Sequence, residues 1–262
     1  MKKKMQFKLS TTQTVLLSFF LAILAGSILL ALPVSSANSE KISYVDALFT
    51  ATTSVCVTGL VTVPTVSTWS IFGQVVILIL IQIGGLGIIT IMSGLMIGFH
   101  KKMGIGDRML IQDAFNLNTL SGLVKFIKKV LIGTFVVEGI GALLYMTVFV
   151  PEYGAKGIWI SVFNSISAFC NAGIDIIAED SLCSYALNPM IHITTCLLII
   201  IGGIGYVVWW DLLRVLKKVR QQKWKCLSGL TLHSKLALSV TSVLIVAGML
   251  LFLVFEYHNP LT

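Results

Sequence analysis

Charge is what this sequence has least of. Only 11% of its 262 residues are Asp, Glu, Lys or Arg, against about 25% in a soluble domain, too few to cover a globule with a water-facing shell. Acidic residues are scarcest, 11 against 19 basic ones. The four histidines, His100, His192, His233 and His258, are scattered without ligand spacing, which gives no basis for a resident metal site. The five cysteines form no C-x-x-C pair and therefore no disulfide framework or redox motif. No nucleophile elbow, phosphate loop or paired-carboxylate arrangement occurs, and the glycines Gly84, Gly85 and Gly87 lie inside an apolar run rather than after a strand, so enzymatic chemistry has no support.

What the chain has is length of apolar sequence. Apolar residues make up 56% of it and the mean hydropathy is +0.93. Five runs, Val15–Leu32, Ile71–Phe99, Val130–Val150, Ile191–Leu213 and Leu236–Phe255, approach or exceed the ~20 residues that cross a bilayer. The fold class expected is an all-α polytopic membrane protein. The second run is long enough to tilt or bend.

The net charge of +8 follows this layout: 17 of the 19 basic residues lie before the first run, between the second and third, or between the fourth and fifth. Lys2, Lys3, Lys4 and Lys8 form the first group and Lys101, Lys102, Arg108, Lys125, Lys128 and Lys129 the second, with seven more from Arg214 to Lys235. The positive-inside rule makes these segments cytoplasmic, with the N-terminus inside. Glu40, Asp46, Glu152, Asp175, Glu179 and Asp180 fall on the other face, which would draw cations. Charge apportioned by topology argues against nucleic-acid binding; anionic lipid suits the basic segments. A signal peptide is the competing reading of residues 2–37, but the first run is longer than a signal core of 7–15 residues and a similar span recurs, followed by the same proline.

That recurrence is an internal repeat. Leu32-Pro33 matches Val150-Pro151, and Ile83-Gly84-Gly85-Leu86-Gly87 matches Ile201-Gly202-Gly203-Ile204-Gly205, both 118 residues on; Cys56-Val57-Thr58-Gly59-Leu60 aligns with Cys170-Asn171-Ala172-Gly173-Ile174 at 114. Each unit reads as helix, short apolar helix, glycine-bearing turn, helix, and both run in the same direction. The organisation expected is a basic cytosolic N-terminus (1–13), a first repeat (14–100), a basic linker (101–125), a second repeat (126–214), a second basic linker (215–234) and the opening helix of a third repeat (235–262), which ends at Asn259-Pro260.

The short segments Tyr44–Val55 and Ile158–Phe169 are about 12 residues long, too short to span, so each must enter the membrane and return. Ser43 is a plausible N-cap with Asp46 in the first turn, and Gly157 takes the matching place in the second copy. The residues that follow, Val57–Gly59 and Asn171–Gly173, are then backbone at membrane depth, tolerated only beside protein or water. Half-helix C-termini carry partial negative charge, and carbonyls lining a narrow passage replace the hydration shell of a monovalent cation. Val57, Thr58, Gly59, Asn171, Ala172 and Gly173 are the candidate ion-binding residues, flanked by Cys56, Leu60, Cys170 and Ile174. Each glycine taken alone reads better as an ordinary turn residue; two copies with the same flanks reverse that and favour the filter. The Gly84–Gly87 cluster is read as close helix packing in preference to a hinge.

These residues, with Asp46-Ala47-Leu48-Phe49-Thr50-Ala51, Gln82-Ile83-Gly84-Gly85-Leu86-Gly87 and Ser167-Ala168-Phe169-Cys170-Asn171-Ala172-Gly173, resemble the KtrB-type subunits of the Trk/Ktr/HKT superfamily of potassium transporters. The resemblance covers essentially the whole chain. It implies four helix, pore-helix, helix units around one pore, each giving one filter glycine, with Gly59 and Gly173 matching the first two. It also implies transport of potassium, often sodium-dependent, with no covalent cofactor. Pairing into homodimers and a cytosolic regulatory ring, which alone binds nucleotides, are implied as well. Since two filter units are present where that family has four, the expectation is a fragment or truncated product of such a subunit. Assembly of two chains into four filters is the alternative.

Glu138 stands mid-span, where an unpaired acid costs about 2.5–3.5 kcal/mol or somewhat less. It needs a partner: a structural hydrogen bond to a pore-helix backbone or hydroxyl is the favoured reading, a proton or sodium relay the other. Asp211, after Trp209-Trp210, reads as an interfacial anchor paired with Arg214. Cys56 and Cys170 read as small buried thiols rather than a disulfide between the two turns. Two rivals remain open: a non-conducting chain that only assembles with a full-length partner, and a secondary transporter using a Glu138 relay.

Overall fold

A computed structural model of the chain describes residues 11–37, 42–99, 122–222 and 229–257, with positions 104, 106, 109 and 112. The basic residues at 2–8 and at 101, 102 and 108, Cys226 and Asn259-Pro260 lie outside the described residues. Among those described the structure is helical, and a lone antiparallel bridge between Ser36 and Trp69 is the one β pairing. By length and composition three helices among the described residues can cross a membrane, or up to five if each of two bent pairs is one span. The chain divides into two units, Met1–Gly203 and Ile204–Thr262.

The first unit opens with α1 (Thr11–Leu30), whose last turn is capped when Ser35 Oγ donates to Leu29 O at 2.7 Å. Pro33 then starts a short 3-10 turn, Pro33–Ser35. The half-length helix α2 (Tyr44–Cys56) begins as expected: Ser43 Oγ accepts the N–H of Val45 at 3.3 Å and Asp46 lies in the first turn, where a carboxylate favours the positive end of the dipole. After one turn of helix, α3 (Thr65–Thr68), Ser70 Oγ accepts from Gly73 N and donates to Val34 O, starting α4 (Ile71–Leu86).

The bend that the length of the second run allowed is present, and the reading of its glycines as packing alone fails. The run Ile71–Phe99 is two helices, α4 and α5 (Ile88–Gly98), bent by 102° around Gly87 at φ +79°. The glycine run therefore divides its labour. Gly84 and Gly85 do pack closely, against Val55 O and Cys170, but Gly87, in a left-handed conformation that other residues rarely adopt, breaks the helix. Gly205 at φ +93° likewise separates α8 (Pro189–Ile204) from α9 (Tyr206–Gln222), so Ile191–Leu213 is not one helix either.

The long helix α6 (Leu123–Tyr153) starts seven residues before the expected Val130 and carries Pro151 inside its last turn. Lys125, Lys128 and Lys129 therefore lie on a helix. Its partner α7 (Ala155–Phe169) follows directly, with Gly154 at φ +60° between them. Gly157 is not a cap, as the matched spacing suggested. It sits in the first turn of α7, where a Cβ would collide with the backbone at Phe149, so it permits the tight α6–α7 corner.

Packing in this unit runs through small residues: Gly26 of α1 faces Leu80 of α4, a Cβ there standing 2.6 Å from Leu80 Cδ1. Gly141 of α6 faces Ser165 Oγ of α7. Between lipid-soluble helices such close contact and interhelical hydrogen bonds drive association where water cannot. In the second unit, Asp211 of α9 accepts from Thr231 N at 2.8 Å and from Thr231 Oγ1 at 2.9 Å, ordering the start of α10 (Leu232–Glu256). The expected ion pair with Arg214 is present at 2.5 Å. Arg214 is half exposed, so the pair itself contributes little; Asp211 serves chiefly as a helix-start acceptor.

Candidate functional site

The half-length helices α2 and α7 each end on a loop with the same backbone pattern. Val57 and Asn171 adopt φ of +55° and +59°, and two residues later Gly59 and Gly173 adopt +76° and +66°. The hydrogen bonds also repeat. Thr58 N donates to Thr53 O at 3.0 Å and Ala172 N to Ser167 O at 2.8 Å. Leu60 N donates to Thr53 Oγ1 and Ile174 N to Ser167 Oγ, each at 3.1 Å. Thr53 and Ser167 are both buried; Thr53 was not singled out in the sequence, and Ser167 stood there only as the first residue of the Ser167–Gly173 motif. Their signal was available, because the 114-residue offset that aligns the loops also sets one hydroxyl opposite the other.

The two loops stand side by side. A Cβ on Gly59 would lie 2.7 Å from Ala172 O, and one on Gly173 would lie 3.7 Å from Gly59 Cα. Gly59 is thus brought to Ala172 and Gly173, although the halves are separated by more than a hundred residues. The flanks differ: Cys56 and Leu60 are exposed, whereas Cys170 and Ile174 are buried. The expectation of two buried thiols holds for Cys170 and fails for Cys56, which ends α2 on a side that none of the described residues covers. Cys56, Cys170, Cys183 and Cys196 are all free.

A cavity of about 480 Å³ borders the second loop, walled by Asn164, Ser167, Asn171, Gly173, Asp175 and Thr195 among others. Asn164 is buried and its Nδ2 has no hydrogen-bond partner among the described residues. Beyond the loop, Asp175 accepts from Ser181 Oγ and from Ile177 N. Tyr185 donates to Glu152 at 2.5 Å and contacts the Tyr153 hydroxyl at 3.1 Å, tying residues 181–188 to the end of α6. Burial, then the Glu152 carboxylate beside it, pushes the Tyr185 phenol above its ordinary range.

Glu138 of α6 is 4% exposed. Its carboxylate is met by Gln82 Nε2 of α4, at 3.0 and 3.2 Å from the two oxygens. The expected partner on the short helix is only half right: Ser165 Oγ of α7 donates at 2.6 Å, but to the backbone carbonyl of Glu138. The side-chain partner comes from a helix 56 residues away in sequence.

The profile of the TrkH family, described as a cation transport protein, matches residues 1–259. Among curated proteins, the potassium/sodium uptake protein NtpJ of Enterococcus hirae is 42% identical over 263 residues, covering 100% of this chain and 56% of that protein. The Ktr system potassium uptake protein B of Bacillus subtilis is 39% identical, over 95% of this chain and 53% of its own length. Its counterpart in Vibrio alginolyticus is 35% identical, over 95% and 52%. The chain spans about half the length of the curated relatives it matches.

Proposed function

Because the chain belongs to the TrkH family of cation transport proteins, we propose that it supplies two of the ion-coordinating loops of a potassium uptake subunit in the cell membrane. The observation that carries this reading is the pair of loops with matched left-handed residues and matched hydrogen bonds, held side by side at the ends of two half-length helices. Each half with its short helix and loop is one helix, pore-helix, helix repeat. Backbone carbonyls of Val57, Thr58, Gly59, Asn171, Ala172 and Gly173 replace the hydration shell of potassium, and α2 and α7 turn their negative ends toward it. Amide N–H groups of the loops are occupied by Thr53 and Ser167, which leaves the carbonyls free to face an ion. The cavity beside the second loop suits water at that depth.

Transport runs down the cation's electrochemical gradient, to which the membrane potential adds about 2.3 kcal/mol per charge per 100 mV. Sodium is carried or required alongside potassium, as the name of the enterococcal relative suggests for that protein. The N-terminus and the basic segments face the cytoplasm, where they meet anionic lipid and a nucleotide-binding regulatory ring, and the complete subunit pairs with a second copy. Glu138 is structural in this reading, since one amide engages both its oxygens.

The test is complementation of a strain lacking potassium uptake, at limiting potassium, with this chain and with a version carrying two further repeats. Growth with either, and loss of potassium preference on Gly59→Ser, supports the reading. Growth with unchanged preference for potassium over sodium after Gly59→Ser refutes the filter assignment.

A further inference from the structure

Two glutamines of α4 have no part in the ion path, yet both reach across to the second half of the unit. Gln74 is buried; its Nε2 donates to Trp69 O at 3.1 Å and its Oε1 accepts the indole N–H of Trp159, in the second turn of α7, at 2.7 Å. Gln82, about 12 Å further along α4 at 1.5 Å per residue, donates to both oxygens of Glu138 and accepts the thiol of Cys170 at 3.6 Å. Cys170 is the residue immediately after α7 and immediately before the second loop. Gly85, three residues on, has no side chain to hold α4 away from Cys170. One helix thus grips α7 near its start and at its end.

Each grip pairs a half-buried side chain, Trp159 or Gln82, with buried ones, Gln74 or Glu138 and Cys170, so an unmade bond leaves a desolvated group behind. The two grips therefore fix depth as well as proximity. Sliding α7 by one residue along its axis would break the Trp159 and Cys170 bonds together. The device is not repeated on α8: the 118-residue offset sets His192 and Ile200 at the corresponding places there, and His192 bonds instead to Ala186 O at 2.8 Å.

We infer that Gln74 and Gln82 are positioning residues for cation selectivity, holding α7 at the depth that sets Asn171, Ala172 and Gly173 opposite Gly59. This rests on the ion-path reading above. The first readout needs no transport: alkylation of Cys170 by a small maleimide in the detergent-solubilised chain, with Cys56, Cys183, Cys196 and Cys226 changed to Ser. Gln82→Leu is expected to speed alkylation about tenfold, the equivalent of one buried hydrogen bond of ~1.4 kcal/mol. Gln82→Glu alone, which sets two carboxylates together, is expected to do the same, and the exchange Gln82→Glu with Glu138→Gln to restore protection, because amide and carboxylate again face each other.

Unchanged protection in Gln82→Leu, or an exchange that restores nothing, overturns the inference. The second readout is rubidium uptake against sodium in whichever form complements growth, with Gln82→Leu expected to lower the preference and the exchange to recover it. If Gly59→Ser alters selectivity and Gln82→Leu does not, the positioning role is wrong. If neither does while Cys170 responds as expected, the ion-path reading is at fault and the grip on α7 stands.

Discussion

Gly59 and Gly173 occupy equivalent places in the two loops, yet alanine at each should have unequal effects. Both have φ in the left-handed region, +76° and +66°, so either substitution incurs about 1–2 kcal/mol of backbone strain. At Gly59 the added Cβ collides with a backbone atom, Ala172 O at 2.7 Å; at Gly173 the nearest atom among the described residues, Gly59 Cα, is 3.7 Å away, an ordinary contact. A carbonyl cannot rotate aside as a side chain can, so Gly59→Ala must push the second loop away, at a further cost of about 1–3 kcal/mol. Gly122→Ala serves as the control, with φ +78° and nothing within 4 Å among the described residues, and should show the strain alone. The assay is the unfolding midpoint of the purified chain in one detergent, read beside its potassium preference in the complementing form. The order expected is Gly59→Ala least stable, with Gly173→Ala and Gly122→Ala close together. Equal loss at Gly59 and Gly173 would refute the claim that the first loop is pressed against the second.

Adjacent glycines in α8 allow a second comparison by the same unfolding assay. A Cβ on Gly202 meets the Phe169 carbonyl, whereas Gly203 has only Asn171 Nδ2, at 3.6 Å; Gly202→Ala should destabilise by roughly 1–3 kcal/mol and Gly203→Ala should be neutral or stabilise by up to about 1 kcal/mol through helix propensity. The Tyr185 network predicts a dependence on alkaline pH. Since the folded-state phenol is raised above its unfolded value, its contribution is complete below pH ~10 and is lost as pH rises above that. Tyr185→Phe should be less stable at neutral pH and should decline less steeply in the alkaline range, measured as unfolding midpoint against pH; an equally steep decline would show that the bond to Glu152 contributes nothing.

Much of the arrangement was legible in one dimension. The half-length helices followed from apolar runs too short to span, the start of α2 from Ser43 and Asp46, and the two loops from the 114-residue offset. That the second run could bend was legible from its length, but not that Gly87 breaks it, because hydropathy sums side chains and is blind to the sign of a backbone angle; Gly84, Gly85 and Gly87 look alike in sequence and do different things. Gly157 misled for a related reason: spacing matched it to a cap, whereas its lack of a Cβ is needed for contact with Phe149.

The sequence by itself determined that the chain is an apolar, helical membrane protein, that its positive charge is apportioned to alternate segments, and that one pattern occurs twice. These are properties of composition and period, carried by neighbours along the chain. Only the tertiary structure decided that Gly59 faces Ala172, that Glu138 takes its partner from Gln82, and that Gln74 meets Trp159. Those contacts join residues 56 to 113 positions apart, and they exist because α4 meets both α6 and α7 and the two loops stand side by side, a result of side-chain shape and hydrogen-bond geometry that no local period encodes.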